Sequence, residues 1–285
     1  MVIDKNQPIL FIDMGYMCFY RFNASKTWYR LSHPEEMKEN PKPNWIEIEE
    51  FVTKYENIFF KTINDLVNKL RIPWSNVILC KDCSRKTIWR NEIYSEYKST
   101  REQSHIKSGF DGHEIFKYTH NHIIPKYQKL YNFKYISSEN AEADDIIAIC
   151  AIHFSEKYNS NIHILTSDND YTQLLKYSNI TIIDMKMKKR VSIEPKKDLW
   201  NKILTGDKSD NIPACYIQQT VIYPEKNKRF IKCTPKITSL LFNISDWESL
   251  LNDNIKNKQH TVNQTLIDFN FIPKHIKEKV LEYFI

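Results

Sequence analysis

The sequence predicts an α/β fold, with a mainly parallel central sheet flanked by helices and a helical C-terminal region. Three short apolar runs carry this reading: ILFID (9–13), NVILCKD (76–82) and IHILTSD (162–168). Their length and unbroken apolar character suit parallel strands covered on both faces. Helical patterns at about 48–70, 111–131 and 142–157 separate them, and strand–helix–strand alternation implies parallel pairing. A further strand is expected at NITIID (179–184), and the proline- and charge-bearing stretch 28–45 reads as a surface loop. Past about residue 198 the pattern changes to short helices: LWNKILTGD, ITSLLFNI, DWESLLND and IPKHIKEKVLEYFI. The expected division is therefore an α/β domain over 1–198 and a helical region over 199–285.

Composition narrows the function. The 285 residues are 41% hydrophobic and 27% charged, which describes a globular chain with no membrane span. The opening MVIDKNQPILFID has no signal-peptide layout, so a cytoplasmic protein is expected. Cys80 and Cys83 have C-x-x-C spacing without a second pair, and read as ordinary reduced cysteines. Only four glycines occur, and no phosphate-cradling glycine loop or G-x-S-x-G is present. A net charge of +6 permits a nucleic-acid partner without requiring one.

Each of the three apolar runs ends in aspartate: Asp13, Asp82 and Asp168. Active sites of open parallel sheets lie beyond the carboxyl ends of the strands. One such aspartate is an ordinary helix cap; three at equivalent ends are not. Asp170 follows two residues after Asp168. Glu142, Asp144 and Asp145 open a predicted helix, whose N-terminus favours negative charge by only about 0.3–1 kcal/mol. Asp207 and Asp210, spaced i, i+3 in TGDKSDNIP, form a third group that alone would read as a polar turn. Two carboxylates about 4 Å apart repel by roughly 4 kcal/mol at an effective dielectric near 20. A cluster this dense must be protonated, splayed into water or neutralised by cations. Oxygen-only ligands point to hard ions, Mg²⁺ or Mn²⁺. Nine acids exceed the needs of one ion, and two ions roughly 3.5–4 Å apart are the usual arrangement for phosphodiester hydrolysis.

FIDMG, the AEADD block, ILTSDNDYTQLL, TGDKSDNIP and IWRNEIYSEYKSTRE together resemble the motifs of the flap endonuclease / 5′–3′ exonuclease family. The likeness extends from about residue 9 to the end. It implies a PIN/flap-nuclease-like fold whose C-terminal region is of helix–hairpin–helix type. It also implies a metal-dependent 5′ nuclease acting on branched or nicked duplex DNA and on RNA–DNA hybrids, with primer removal in replication as its setting. One Mg²⁺ would be held mainly by Asp13, Asp82, Glu142, Asp144 and Asp168, and a second nearer Asp145, Asp170, Asp207 and Asp210. Lys98 and Arg101 would contact the scissile phosphate diester, with Arg90 nearby. Tyr97 is a candidate for stacking on a base, and residues 98–130 would form a basic arch over the site. His120 and His122 read as helix-surface histidines.

One segment departs from the family. Where members carry a glycine hairpin after NIP, this chain has NIPACYIQQTVIYPEKNKRFIKCTPKITSLL. Its Lys226, Lys228, Arg229, Lys232 and Lys236 are expected to add duplex phosphate contacts. A single-strand-binding protein and a sliding clamp are the partners that a replication setting implies, for a chain expected to be a monomer in the cytoplasm, that of the host if phage-encoded. The rival readings are a PIN-like endoribonuclease, a non-catalytic DNA-binding replication protein and, more distantly, a haloacid-dehalogenase-type phosphatase.

Overall fold

The computed structural model describes residues 3–254 and 258–284. Its main strands are β1 (Ile9–Asp13), β2 (Val77–Cys80), β3 (Lys134–Ile136), β4 (Ile162–Leu165), β5 (Ile180–Ile183) and β6 (Lys189–Arg190). They form one sheet in the order β3-β2-β1-β4-β5-β6, parallel except for the β5–β6 pair. The chain starts in the centre, moves to one edge through β2 and β3, then crosses to the other side with β4. The reversal beside β1 is a topological switch point, where an open sheet leaves a crevice at its carboxyl ends.

The apolar continuity of the strands is explained by burial on both faces. Ile9 and Phe11 pack against the helix Ala143–Tyr158, while Leu10 and Ile12 pack against the helices Met14–Ser32 and Glu49–Leu70. The chain's end also returns to the sheet layer: Phe269, Ile272, Ile276 and Val280, the last two from the helix Lys274–Leu281, join the core around Ile146 and Ile149.

Three local expectations are corrected. The stretch 28–45 is largely helical: the first helix runs to Ser32, and Pro34–Glu39 forms another turn with proline at its first position, where a missing N–H costs nothing. Tyr29 anchors this stretch, buried in a T-shaped contact with Trp45. Strands β3 and β6 were not foreseen; β3 is three residues long and its first two are only half-buried. The C-terminal region is not purely helical. Between the helices Pro195–Thr205 and Pro235–Phe242 it carries an antiparallel ribbon of β7 (Tyr216–Gln218) and β8 (Phe230–Lys232). The ribbon packs over a small core of Leu204, Cys215, Ile217, Cys233 and Leu241. The helix Pro195–Thr205 runs across the boundary expected at 198/199. No described helix is long and apolar enough to cross a membrane.

Candidate metal centre

The three strand-end aspartates meet because β2, β1 and β4 are neighbours. Asp13 ends β1 and caps the following helix, its Oδ1 accepting from the Tyr16 N–H at 3.1 Å. Its Oδ2 accepts from the Thr166 hydroxyl at 3.1 Å, just beyond β4. Asp82 stands two residues past β2, and its Oδ1 accepts from the Ala143 N–H at 2.8 Å, in the first turn of the helix that carries Asp144. Asp168 lies three residues past β4, with its N–H donated to Thr166 Oγ1 at 3.1 Å. Asp13, Asp82, Glu142, Asp144 and Asp168 thus line one cavity of about 660 Å³, rimmed by Lys81, Arg85, Lys98 and Arg101.

Most of these carboxylates nevertheless resist ionising. Burial and the facing carboxylates of Asp82 and Asp168 push Asp13 up to about 7. Asp144 is raised well above the carboxylate range by burial and then by Glu142. Asp82 shifts the same way through loss of hydration and the Glu142 charge, although its surface and that of Asp168 remain open to the cavity. Glu142 is the exception: burial opposes its ionisation, but Lys98 and Arg90 outweigh it and hold the carboxyl below its usual range. Carboxylates kept from ionising by burial and by one another, gathered in one cavity, fit a hard divalent cation.

A second group forms beside the first. One oxygen each from Asp170, Asp207 and Asp210 lies within 4.8 Å of the others. Asp207 and Asp210 are presented by a tight loop closed by paired Asp207–Ile212 backbone bonds of 2.9 and 2.7 Å. Gly206 makes this loop possible: its φ is +73°, and a Cβ there would lie 2.3 Å from the Ile212 carbonyl oxygen. Lys202 sits among these acids, bonded to Asp170 and 2.7 Å from Asp207. Burial raises Asp170 to about 6 against the pull of Lys202, whereas the same lysine brings Asp207 down to about 2.

Several residues stand differently from the sequence reading. Asp145 shares its neighbourhood with Glu142 and Asp144, but both its oxygens are engaged. Oδ1 accepts from Arg90 Nη2 at 2.8 Å; Oδ2 accepts from Arg90 Nη1, Trp89 Nε1 and the Glu142 N–H at 2.9–3.0 Å. Arg90, expected near the scissile phosphate, is 2% exposed and also donates to Glu142 and to the Leu266 carbonyl. It ties the acid-bearing helix to the C-terminal tail and does not line the cavity. Tyr97 is buried too, so its ring offers no stacking face; its hydroxyl bridges Glu142 and Asp210 at 3.0 and 3.1 Å. Lys98 and Arg101 do line the cavity, Lys98 bonded to Glu142 and Arg101 to Asp210 at 2.6 Å. Lys98 is held in the left-handed region, φ 54°, by its N–H bond to the Asp210 carbonyl, which joins the two acid groups through the backbone.

From the expected arch, Phe110, His113, Phe116 and His120 also line the cavity. His120 is therefore not a surface histidine; its Nδ1 lies 2.8 Å from the Tyr135 hydroxyl, and burial lowers it to about 4. Sequence offered no signal for this inward turn. Lys226, Lys228, Lys232 and Lys236 are exposed around the ribbon, and Arg229 bonds to Gln219. Thr234 caps the helix Pro235–Phe242, accepting from the Ile237 N–H at 3.4 Å.

These shifts fix a sign for cation binding. Asp13 holds its proton to about 7, so its contribution to metal-free stability is present in acid and is lost as pH rises from about 4 to 7. A cation must displace that proton. The Mg²⁺ concentration giving half the thermal stabilisation should be about tenfold higher at pH 6 than at pH 8, from Asp13 alone. Melting curves over a Mg²⁺ series at the two pH values measure this directly.

Residues 9–203 match the model for the 5′–3′ exonuclease, N-terminal resolvase-like domain, and residues 194–285 the model for the C-terminal part of T4 RNase H. The chain is 27% identical over 217 residues to the ribonuclease H of Enterobacteria phage T4, covering 75% of this chain and 70% of that protein. It is 36% identical over 180 residues to a 5′-3′ exonuclease of Buchnera aphidicola subsp. Baizongia pistaciae, with 56% of this chain and 55% of that one covered. Among solved structures, the T5 5′-exonuclease with bound divalent metal ions (zinc) has the same fold. Its TM-score is 0.57 at 14% identity, over 98% of both chains.

Proposed function

The chain belongs to the 5′–3′ exonuclease family, and on that premise we propose that it hydrolyses phosphodiesters near 5′ ends and flap junctions, in DNA and in RNA–DNA hybrids, with two Mg²⁺ ions. The observation that supports this best is the convergence of Asp13, Asp82, Glu142, Asp144 and Asp168 on one cavity, where burial and the facing carboxylates shift Asp13 to about 7. Those five side chains would hold the first ion. Asp170, Asp207 and Asp210 would hold the second, once Lys202 gives way.

Bound divalent ions supply charge neutralisation at the phosphate and a water acidified toward neutral pH. The protein's own groups do the rest. Lys98 and Arg101, on the cavity wall beside Glu142 and Asp210, orient the phosphodiester and offset its developing charge. Asp145, through Arg90 and the Glu142 N–H, fixes the first turn of the acid-bearing helix, so that Glu142 and Asp144 face the cavity. Tyr97 and the strained Lys98 backbone hold the Asp210 loop against Glu142, setting the separation of the two acid groups. Phe110 and Phe116 close the cavity on the arch side and limit the water around the phosphate. Products carry a 5′-phosphate and a 3′-hydroxyl, and no side-chain nucleophile takes part.

The test uses 5′-labelled flap, nicked and RNA–DNA hybrid substrates with Mg²⁺ or with EDTA. Cleavage at or near the junction in Mg²⁺ and none in EDTA is expected. Cutting that survives EDTA would defeat the proposal, and a preference for unstructured single-stranded RNA would favour a PIN-like endoribonuclease. A replication setting, with a single-strand-binding protein or a sliding clamp as partner, is part of the same proposal and rests on the family alone.

A further inference from the structure

A basic groove lies outside the cavity, between the helices Met14–Ser32 and Glu49–Leu70 and the turn joining β5 to β6. It has a volume of about 400 Å³, and its polar walls are Arg21, Lys61, Lys69, Thr62 and Asp65. Met185 and Met187, from the turn, complete it. Three cations face one anion, and that anion is already engaged by Lys61 at 2.8 Å. Lys69 is exposed and has no ion pair among the described residues. Arg21 is the unusual member. It is half-buried, its Nε is buried without a hydrogen-bond partner, and an Nη reaches only the Met185 sulfur at 3.7 Å. Burial lowers its pKa. A guanidinium with donors left unused in a partly dry wall is costly, unless an anionic acceptor comes to it.

The turn beside the groove is built to be held in place. Asp184 Oδ1 accepts from the N–H groups of Lys186 and Lys188 at 2.8 and 2.9 Å. Met187 takes a left-handed conformation, φ 61°, which is rare for an unbranched side chain of its size. The Met185 N–H donates to the Tyr16 hydroxyl at 3.2 Å, and Tyr16 lines the metal cavity. Lys186 and Lys188 are exposed on this turn and extend the positive field. Groove and cavity are thus joined through one helix. Asp13 to Arg21 is eight residues, or about 12 Å along the axis. That equals three to four base pairs of duplex at about 3.4 Å each.

We propose that this groove binds backbone phosphates of duplex nucleic acid lying three to four base pairs from the scissile bond, with Arg21 and Lys69 as the principal contacts. The proposal deepens the nuclease reading and rests on it. A duplex backbone fits better than an acidic protein segment because Arg21, whose guanidinium lies over the Tyr20 ring, is about two turns along the helix that Asp13 caps, which sets the groove beside the site that must receive a phosphodiester.

The experiment measures binding of the full chain to a flap substrate, with Ca²⁺ in place of Mg²⁺ to suppress cutting, from 50 to 200 mM salt. The isolated flap strand and a polyglutamate peptide are the comparison probes. Each phosphate contact contributes about 0.9 to the slope of log affinity against log salt. Arg21→Gln with Lys69→Gln should lower the duplex slope by about 2 and leave the single-strand slope unchanged. Arg21→Lys should retain most of the slope, and exposed Lys69 can be replaced alone if Arg21→Gln disturbs folding, with an expected drop of about 1. An unchanged duplex slope, or an equal fall on the single strand, overturns the proposal. Loss of polyglutamate binding with duplex binding intact also overturns it and assigns the groove to a protein. Wild-type chain that binds the flap duplex but never cuts it in Mg²⁺ would defeat the nuclease reading and leave this one standing.

Discussion

Replacing Asp13 by Asn should abolish cleavage while making the metal-free protein more stable. The two effects share one cause. Asp13 carries a carboxylate that burial, Asp82 and Asp168 all discourage from ionising. At pH 8 the folded chain bears that cost in full, because the group is ionised there despite a pKa near 7. The amide is nearly isosteric and carries no charge; its oxygen can still accept from the Tyr16 N–H, while its NH2 must donate to the Thr166 hydroxyl oxygen in place of the bond that Asp13 accepts. The side chain is only partly enclosed and borders a solvent-filled cavity, so screening reduces the gain to about 1–2 kcal/mol. The activity loss should be roughly 10³-fold or more, since the variant removes a charge needed to hold a cation against a phosphodiester. Melting at pH 8 in EDTA and single-turnover cleavage in Mg²⁺ are the two readouts. A destabilised variant, or one that retains activity, would show that Asp13 is a helix cap and nothing more. The stability gain should shrink as pH falls from about 7 and vanish only near pH 4, where the wild-type carboxyl is protonated in the folded and the unfolded chain alike.

This pairing of lost function with gained stability separates what was legible in the sequence from what was not. The strand-end aspartates were legible because a continuous apolar run can hardly be anything but a doubly covered strand. The residue ending such a run must emerge at the sheet's carboxyl edge. Asp13 and Asp168 needed only that rule, together with the neighbouring order of β1 and β4. Strand β3 lacked the signal, being three residues long with a lysine first. The β7–β8 ribbon lacked it too, since its exposed Tyr216, Phe230 and Lys232 give no apolar run. The environment of the charged groups was less legible. Arg90, Tyr97 and Asp145 carry the same letters as groups that meet solvent or substrate, and their local spacing is indistinguishable from that of Lys98 and Asp144. What sets them apart is the tail: Leu266 covers Arg90 from 176 positions away. No local pattern reports that a distant segment will seal a guanidinium inside.

Arg90 therefore yields the second large effect, and it is one of folding. Its guanidinium makes two bonds to Asp145, one to Glu142 and one to the Leu266 carbonyl, at 2.8–3.0 Å throughout. Removing it with Arg90→Ala strands Asp145, which has no exposed surface, as an uncompensated buried charge. Breaking a buried pair in this way costs about 3–5 kcal/mol. For a chain of this size that is a fall of roughly 10 °C or more in melting temperature. Arg90→Lys should recover only part of the loss, because one ammonium cannot reproduce the planar fork that reaches both Asp145 oxygens and the tail. If Arg90 instead met the scissile phosphate, the alanine variant would melt normally and fail only in cleavage. The double variant Arg90→Met with Asp145→Leu decides between the two. With both charges gone the stranded anion disappears, so much of the melting temperature should return, while Glu142 and Asp144, deprived of the capping bond to the Glu142 N–H, should hold Mg²⁺ less tightly. A double variant no more stable than Arg90→Ala would show that the tail contact to Leu266, rather than the ion pair, carries the energy.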